Sequence, residues 1–312
     1  MNKKVRIPFV VDEQPYCLWD REVSAKNLDL LNRIDPDYFN YLAVVNYNLL
    51  KNNETEKKVK QHAAISLRTS YSHGLEAFFA LIGAAIQAPD CVLGWLLKYQ
   101  NSDLLKIVKK INSHEFLYTN IQNSPISWKI VSDFIFSPFS ASEDEHLKLN
   151  IEKFSDIWSY FADDFTNQNF IDEYNAIKHG FRVQIGGFFV AIDNIKSGNE
   201  FGSSYFQQEK IDKHNFLIHE QSRNWQPENY YHALHLISDS IRNIITFLKG
   251  FNGSDTNDLK YVFLKDLDLF SKPWEKGIGL SDMKSHSTIP IDKIPLLTEE
   301  QILIRYDSKF PI

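Results

Sequence analysis

The residues best suited to acid–base chemistry in this chain lie together near the end of one predicted helix. Asn175, Lys178 and His179 are spaced at i, i+3 and i+4, which places an amide, a cation and an imidazole on one helical face. An imidazole takes up and releases protons near neutral pH. The spacing therefore predicts a compact polar cluster that is capable of proton transfer.

The same residues are also typical of a helix end that has no catalytic role. Gly180 follows directly, and glycine is the usual residue for the left-handed conformation that stops a helix. Lys178 and His179 would complement the helix dipole and bond the last free carbonyl groups. Residue chemistry alone leaves both interpretations open.

The motif resembles that of HEPN-like domains, which are small α-helical bundles found in prokaryotic toxins and defence proteins. Their motif reads Arg-Asn-x-x-x-His-Gly, and this chain matches its Asn, His and Gly with Asn175, His179 and Gly180. Tyr174 stands where the family has Arg. The resemblance covers about seven residues and implies a metal-independent endoribonuclease or an RNA-binding component of a defence or toxin system.

The resemblance also implies a role for each residue. His179 would act as base or acid on the 2′-hydroxyl of RNA, while Asn175 would orient the phosphate or the imidazole. The family arginine stabilises charge on the scissile phosphate, so its place would have to be taken by Lys178, Arg182 or Arg68. Such sites usually lie at a two-fold interface, which predicts a homodimer. The alternative is a non-catalytic helical protein-interaction module.

Periodicity of apolar residues predicts the elements that position this motif. The strongest helical pattern runs over 54–88, and its apolar residues cover most of the helix circumference beyond Phe78, which predicts burial on several sides. Glu76 lies in this region and needs a partner, for which Ser72 and His73 are the local candidates. Further core helices are predicted over 145–165, 169–179 and 227–249.

After Gly180 the pattern changes to the alternation that is typical of strands, which predicts a β insertion over about 181–220 with a kink or bulge at Gly186 and Gly187. Prolines and short apolar pieces over 251–312 predict a C-terminal tail that wraps around the body. The expected fold is therefore mainly α, a HEPN-like helical bundle with a small antiparallel β insertion, in a single domain over 1–312.

Composition limits the function classes. The net charge of −6 leaves no broadly basic surface, so we expect RNA contact through a local patch and no DNA binding. Cys17 and Cys91 are too few for a disulfide framework, and no apolar run is long enough for a membrane span, which indicates a cytoplasmic protein. Nucleotide, dinucleotide and zinc-hydrolase motifs are missing, so we expect no cofactor and no metal.

Overall fold

The computed structural model describes residues 6–20, 22–121, 125–180, 182–192, 195–213, 215–255, 259–264, 282–285 and 299–309. The described helices are α1 Val23–Arg33, α2 Tyr38–Lys51, α3 Lys57–Gln87, α4 Val92–Lys98, α5 Asn101–Asn112, α6 Trp128–Ile135, α7 Glu145–Thr166, α8 Gln168–Lys178, α9 Pro227–Phe251 and α10 Glu299–Lys309. The described strands are β1 Ile7–Val11, β2 Gln14–Leu18, β3 Val183–Ile185, β4 Phe189–Ile192, β5 Ile195–Gly198, β6 Gly202–Lys210, β7 Phe216–Asn224 and β8 Asp282–Ser285.

Helix α3 is the central element of the core, where the sequence predicts a helix over 54–88. It packs against α2 and α9, and residues 78–89 are buried without interruption. This confirms the burial predicted from the apolar residues that cover most of the helix circumference. Gly83 permits part of this packing, because a Cβ atom at that position would overlap the ring of Trp95.

Helices α7, α8 and α9 lie where the sequence predicts the other core helices. Asp144 caps α7 by accepting a hydrogen bond from the backbone N–H of His146 at 2.9 Å, and Pro227 opens α9. An aromatic cluster joins α7 to α3, because Phe78 contacts Trp158 and Phe161, with ring centroids 5.7 Å apart in both pairs.

The predicted fold class, a mainly α bundle with a small β insertion, is wrong. Helices are the majority, but the fold is mixed, because antiparallel strands before α1 and after α8 also form part of it. Strands β1 and β2 form a hairpin that buries Phe9 and Val11 against the helices. Strands β3, β6, β7 and β8 form a four-stranded sheet in that order.

The sheet departs from the predicted insertion in two ways. Strand β7 continues to Asn224, beyond the predicted end at 220, and β8 comes from the segment that was expected to form only a wrapping tail. The predicted interruption at Gly186 and Gly187 does separate β3 from β4, which pairs with β5 in a separate hairpin.

Part of the predicted C-terminal tail packs on the helices. The side-chain amide of Asn243 on α9 donates a hydrogen bond to the carbonyl of Val262 and accepts one from its N–H. Asn150 on α7 accepts a hydrogen bond from the N–H of Leu264 at 2.6 Å. Residues 256–258, 265–281, 286–298 and 310–312 of this tail, and Phe181 of the predicted strand, lie outside the described residues.

Candidate functional site

Helix α8 carries the motif and has a defined start and end. Asn167 caps it by accepting a hydrogen bond from the N–H of Asn169 at 3.0 Å. The helix ends at Lys178, and Gly180 then adopts a φ of +92°. The prediction that Gly180 is a left-handed helix stop is confirmed.

At this helix end, the Lys178 side chain pairs with a carboxylate on α3. The Lys178 ammonium lies 3.6 Å from a carboxylate oxygen of Glu76 and 5.3 Å from the ring centroid of Tyr174. His179 and Asn175 are exposed. Within the described part of the chain, the His179 side chain forms no hydrogen bond or ion pair that would orient it for proton transfer.

Tyr174, which replaces the family arginine, has a structural role. Its hydroxyl donates to Glu76 at 3.2 Å, and Asn101 on α5 donates to the other oxygen of the same carboxylate at 3.2 Å. Burial, and then the charge of Glu76, raises the pKa of Tyr174. The partners of Glu76 are therefore Tyr174, Asn101 and Lys178, and the local partners predicted from the sequence are wrong.

Arg68, a candidate phosphate ligand, is buried in the core of the protein. Its side chain is 1% exposed and its Nε–H donates at 2.9 Å to Glu173, whose side chain is 0% exposed. Burial opposes the charge on both groups, but each partner stabilises the other, so the pKa of Arg68 is raised and that of Glu173 is lowered. Arg182, the other candidate phosphate ligand, is exposed.

The sheet completes the environment of Glu173. The Trp225 indole N–H, just after β7, donates to Glu173 at 2.8 Å, and the Ser203 hydroxyl on β6 donates to the same oxygen. Arg223 on β7 lies 4.2 Å from the ring centroid of Phe170, and Arg68 lies 4.5 Å from it. The carboxylate thus links α3 and α8 to the four-stranded sheet.

A pocket of about 210 Å³ opens beside this network, between α3, α5, α7 and α8. Its walls are largely apolar and aromatic, and its two charged lining residues are both carboxylates. The lining residues are Ser72, Leu75, Glu76, Asn101, Ser102, Leu105, Asp164, Phe165, Phe170, Ile171, Tyr174 and Asn175. Asn175 is thus the only predicted catalytic residue that lines this pocket.

Asp164 is one of the two carboxylates that line the pocket. One of its oxygens accepts a hydrogen bond from the Tyr71 hydroxyl at 2.6 Å. The structure gives the other oxygen no partner among the described residues. Burial raises the pKa of Asp164, although the hydrogen bond from Tyr71 and the charge of Arg68 oppose this effect.

Sequence reasoning did not identify Glu173 and Asp164 as functional candidates. A signal was present for Glu173, because it stands on a core-facing position of α8, and an acidic residue on such a face requires a partner. That partner, Arg68, is 105 residues away in the chain, so periodicity could not identify the pair.

The described residues contain no group of three His, Cys, Asp or Glu side chains placed to hold a metal ion. None of the described helices is both long and apolar enough to cross a bilayer. Comparisons with protein-family models, with curated proteins and with solved structures find no match to this chain.

Proposed function

We propose that this chain is a non-catalytic interaction module that binds a cationic group in the pocket between α3, α5, α7 and α8. The observation that carries this proposal is the composition of the pocket walls. They combine aromatic side chains with two carboxylates, and no lysine, arginine or histidine belongs to the described lining.

The size of the pocket limits the occupant. A volume of about 210 Å³ is below the range of roughly 300–1,000 Å³ that is typical of pockets for drug-sized ligands. The pocket is suited to a group such as an alkylamine or alkylguanidine, either as a free molecule or as a lysine or arginine side chain of a partner protein.

The two carboxylates differ in their availability to such a ligand. Glu76 is already paired with Lys178 at 3.6 Å and accepts hydrogen bonds from Tyr174 and Asn101. Asp164 has only the neutral hydroxyl of Tyr71 as a described hydrogen-bond partner. A cationic group would therefore pair with Asp164 while its aliphatic stem packs against the apolar walls.

The proposal is tested by titrating the folded protein with ethylguanidine and n-butylamine and following the NMR signals of the pocket. Affinity for such small ligands should be weak, roughly millimolar. Asp164→Asn should reduce it about tenfold or more, because a hydrogen bond to a charged group contributes about 1.5–3 kcal/mol. Affinity should rise with pH as Asp164 loses the proton that its raised pKa retains.

Asp163→Asn is the matched control, because Asp163 is the exposed neighbour of Asp164 and does not line the pocket. It should leave the affinity unchanged, and n-butanol and butyrate should bind less well than the amine. Capped peptides with one arginine or lysine distinguish a side-chain ligand from a free amine. Equal binding by wild type and Asp164→Asn would contradict the proposal.

The second candidate function is the metal-independent endoribonuclease. The observation that favours it is that Asn175, Lys178, His179 and Arg182 all have exposed side chains within one short segment, where they would be accessible to a phosphate backbone. On this reading His179 serves as base or acid, and Lys178 or Arg182 stabilises the phosphate.

Cleavage of unstructured RNA in EDTA distinguishes the two candidates. If the chain is an endoribonuclease, His179→Ala should lower cleavage about 100-fold or more while the melting temperature stays near that of the wild type. His146→Ala is a matched control, because His146 is an exposed histidine at the start of α7. No cleavage by folded wild type would support the interaction module.

A further inference from the structure

The two oxygens of the Asp164 carboxylate differ in what they can offer a ligand. One of them, Oδ2, accepts a hydrogen bond from the Tyr71 hydroxyl at 2.6 Å. Tyr71 is 1% exposed and belongs to the hydrophobic core, so close packing fixes the position of this hydroxyl. The other oxygen has no partner among the described residues. The carboxylate therefore has one oxygen, and not two, available to a ligand of the pocket.

The number of available oxygens matters because a guanidinium and an ammonium pair with carboxylates in different ways. A guanidinium gains most from two parallel N–H donors that meet both oxygens of one carboxylate. An ammonium is a compact charge with three donors that point in different directions, and it can pair with a single oxygen. At Asp164, a guanidinium would have to displace the Tyr71 hydroxyl or lose one of its two hydrogen bonds.

The Phe170 ring in the pocket wall offers little to a further guanidinium. A guanidinium that cannot form the paired contact can still stack on the face of an aromatic ring. The Phe170 ring already has two guanidinium groups over it, those of Arg223 at 4.2 Å and Arg68 at 4.5 Å from its centroid. The attraction of this ring for cations is therefore already in use, and a third guanidinium would be repelled by the other two.

The other two aromatic rings of the described pocket wall also have neighbours. The Lys178 ammonium lies 5.3 Å from the ring centroid of Tyr174. The ring of Phe165 packs against that of Phe79, with the centroids 4.8 Å apart. Stacking thus gives a guanidinium no clear advantage over an ammonium at any of the three rings.

The rest of the described pocket wall suits an ammonium on an aliphatic stem. The hydroxyl oxygens of Ser72 and Ser102 can accept hydrogen bonds from the ammonium donors that Asp164 leaves over. An aliphatic stem can pack against the apolar side chains of the wall. These apolar side chains are Leu75, Leu105 and Ile171.

From these observations we infer that the cation bound by this pocket is an alkylammonium, as at the end of a lysine side chain or of a free primary amine, and not a guanidinium. The inference rests on the proposed function, because it names the ligand class of the same pocket. Tyr71 is then the residue that sets the preference, because its hydroxyl occupies the oxygen of Asp164 that a guanidinium would need.

Titration with two side-chain analogues tests this preference. n-Butylamine has the stem and charge of a lysine side chain, and n-propylguanidine has those of an arginine side chain. At mildly alkaline pH, where Asp164 is ionised, the NMR signals of the pocket should show n-butylamine binding about fivefold more tightly or better, because n-propylguanidine loses a charge-assisted hydrogen bond. Capped peptides with one lysine or one arginine should show the same preference if the natural ligand is a side chain, and weaker binding than n-butylamine if it is a free amine.

Tyr71→Phe separates this preference from simple cation binding. It removes the hydroxyl and keeps the buried ring, and a melting curve checks that the fold is intact. With both oxygens of Asp164 available, n-propylguanidine should gain affinity and the preference for the amine should disappear or reverse. Tyr174→Phe is the matched control, because it removes the pocket hydroxyl that donates to Glu76 at 3.2 Å. It should leave the preference unchanged.

The outcomes distinguish this inference from the proposed function. Equal or tighter binding of n-propylguanidine by the wild type would overturn the inference, while the proposed function would stand if Asp164→Asn weakened both ligands. A preference that persists in folded Tyr71→Phe, or that is lost in Tyr174→Phe instead, would also overturn it. If Tyr71→Phe does not fold, the wild-type comparison decides. No binding of either analogue to the wild type would contradict the proposed function itself.

Discussion

Replacing Glu173 with leucine is expected to lower the free energy of unfolding by about 3–5 kcal/mol, because it leaves a guanidinium buried without its counter-charge. Arg68 is 1% exposed and donates to Glu173 at 2.9 Å. The loss extends beyond this pair, since Trp225 and Ser203 also donate to the carboxylate. Urea denaturation monitored by tryptophan fluorescence measures the change.

A double-mutant cycle separates the ion pair from the other contacts of Glu173. Replacing a buried ion pair by apolar residues of similar volume is often neutral. Arg68→Met combined with Glu173→Leu should therefore be more stable than Glu173→Leu alone, although Trp225 and Ser203 still lose their acceptor.

Glu152→Leu is the control for the change of residue type. Glu152 is exposed on α7, so its replacement should change stability by no more than about 0.5 kcal/mol. If Glu173→Leu cost as little as Glu152→Leu, the buried network would not contribute to stability in the way its geometry indicates.

The helices could be predicted from the sequence because the residues that specify a helix are close together in the chain. In α3 the apolar residues recur at steps of three and four, and the stops at Pro89 and Gly180 act on their immediate neighbours. The loss of helical periodicity after Gly180 likewise predicted strands where β3 to β7 are found.

The errors concern pairings between residues that are distant in the chain. Strand β8 consists of Asp282, Met283, Lys284 and Ser285, which show no alternation, and it is a strand because β7 offers a free edge. The hydroxyl of Tyr174 reaches Glu76 from 98 residues away. The periodicity of a single sequence reports only on neighbouring residues and does not show which distant residues are in contact. The predicted fold class and the predicted partners of Glu76 are wrong for this reason.

The same limit applies to the candidate site. Asn175, Lys178 and His179 have the spacing of one helical face, but Lys178 forms an ion pair with Glu76. The His179 side chain has no partner among the described residues. Asp164 could not be identified as a candidate from the sequence, because nothing in its local pattern distinguishes it from the adjacent Asp163. Only the packing of four helices makes it part of a pocket.

Phe78→Ala should lower the free energy of unfolding by about 3–5 kcal/mol, through lost apolar burial and the cavity that remains. Phe78 is 0% exposed and lies in the C-terminal half of α3. Its ring lies 4.8 Å from that of Phe79 and 5.7 Å from those of Trp158 and Phe161, measured between centroids. Aromatic residues on three sides cannot collapse into the space without leaving their own contacts, so relaxation should recover little of the loss.

Phe116→Ala provides the matched control, because it deletes the same atoms from a side chain that is 54% exposed. We expect it to cost under about 1 kcal/mol, while Phe78→Leu should fall between the two, since it fills more of the cavity than alanine does. Urea denaturation of the three variants at unchanged m-value gives the comparison. A cost for Phe78→Ala no larger than that for Phe116→Ala would mean that α3 is not the centre of the core, since only a residue enclosed on all sides leaves a cavity of that size.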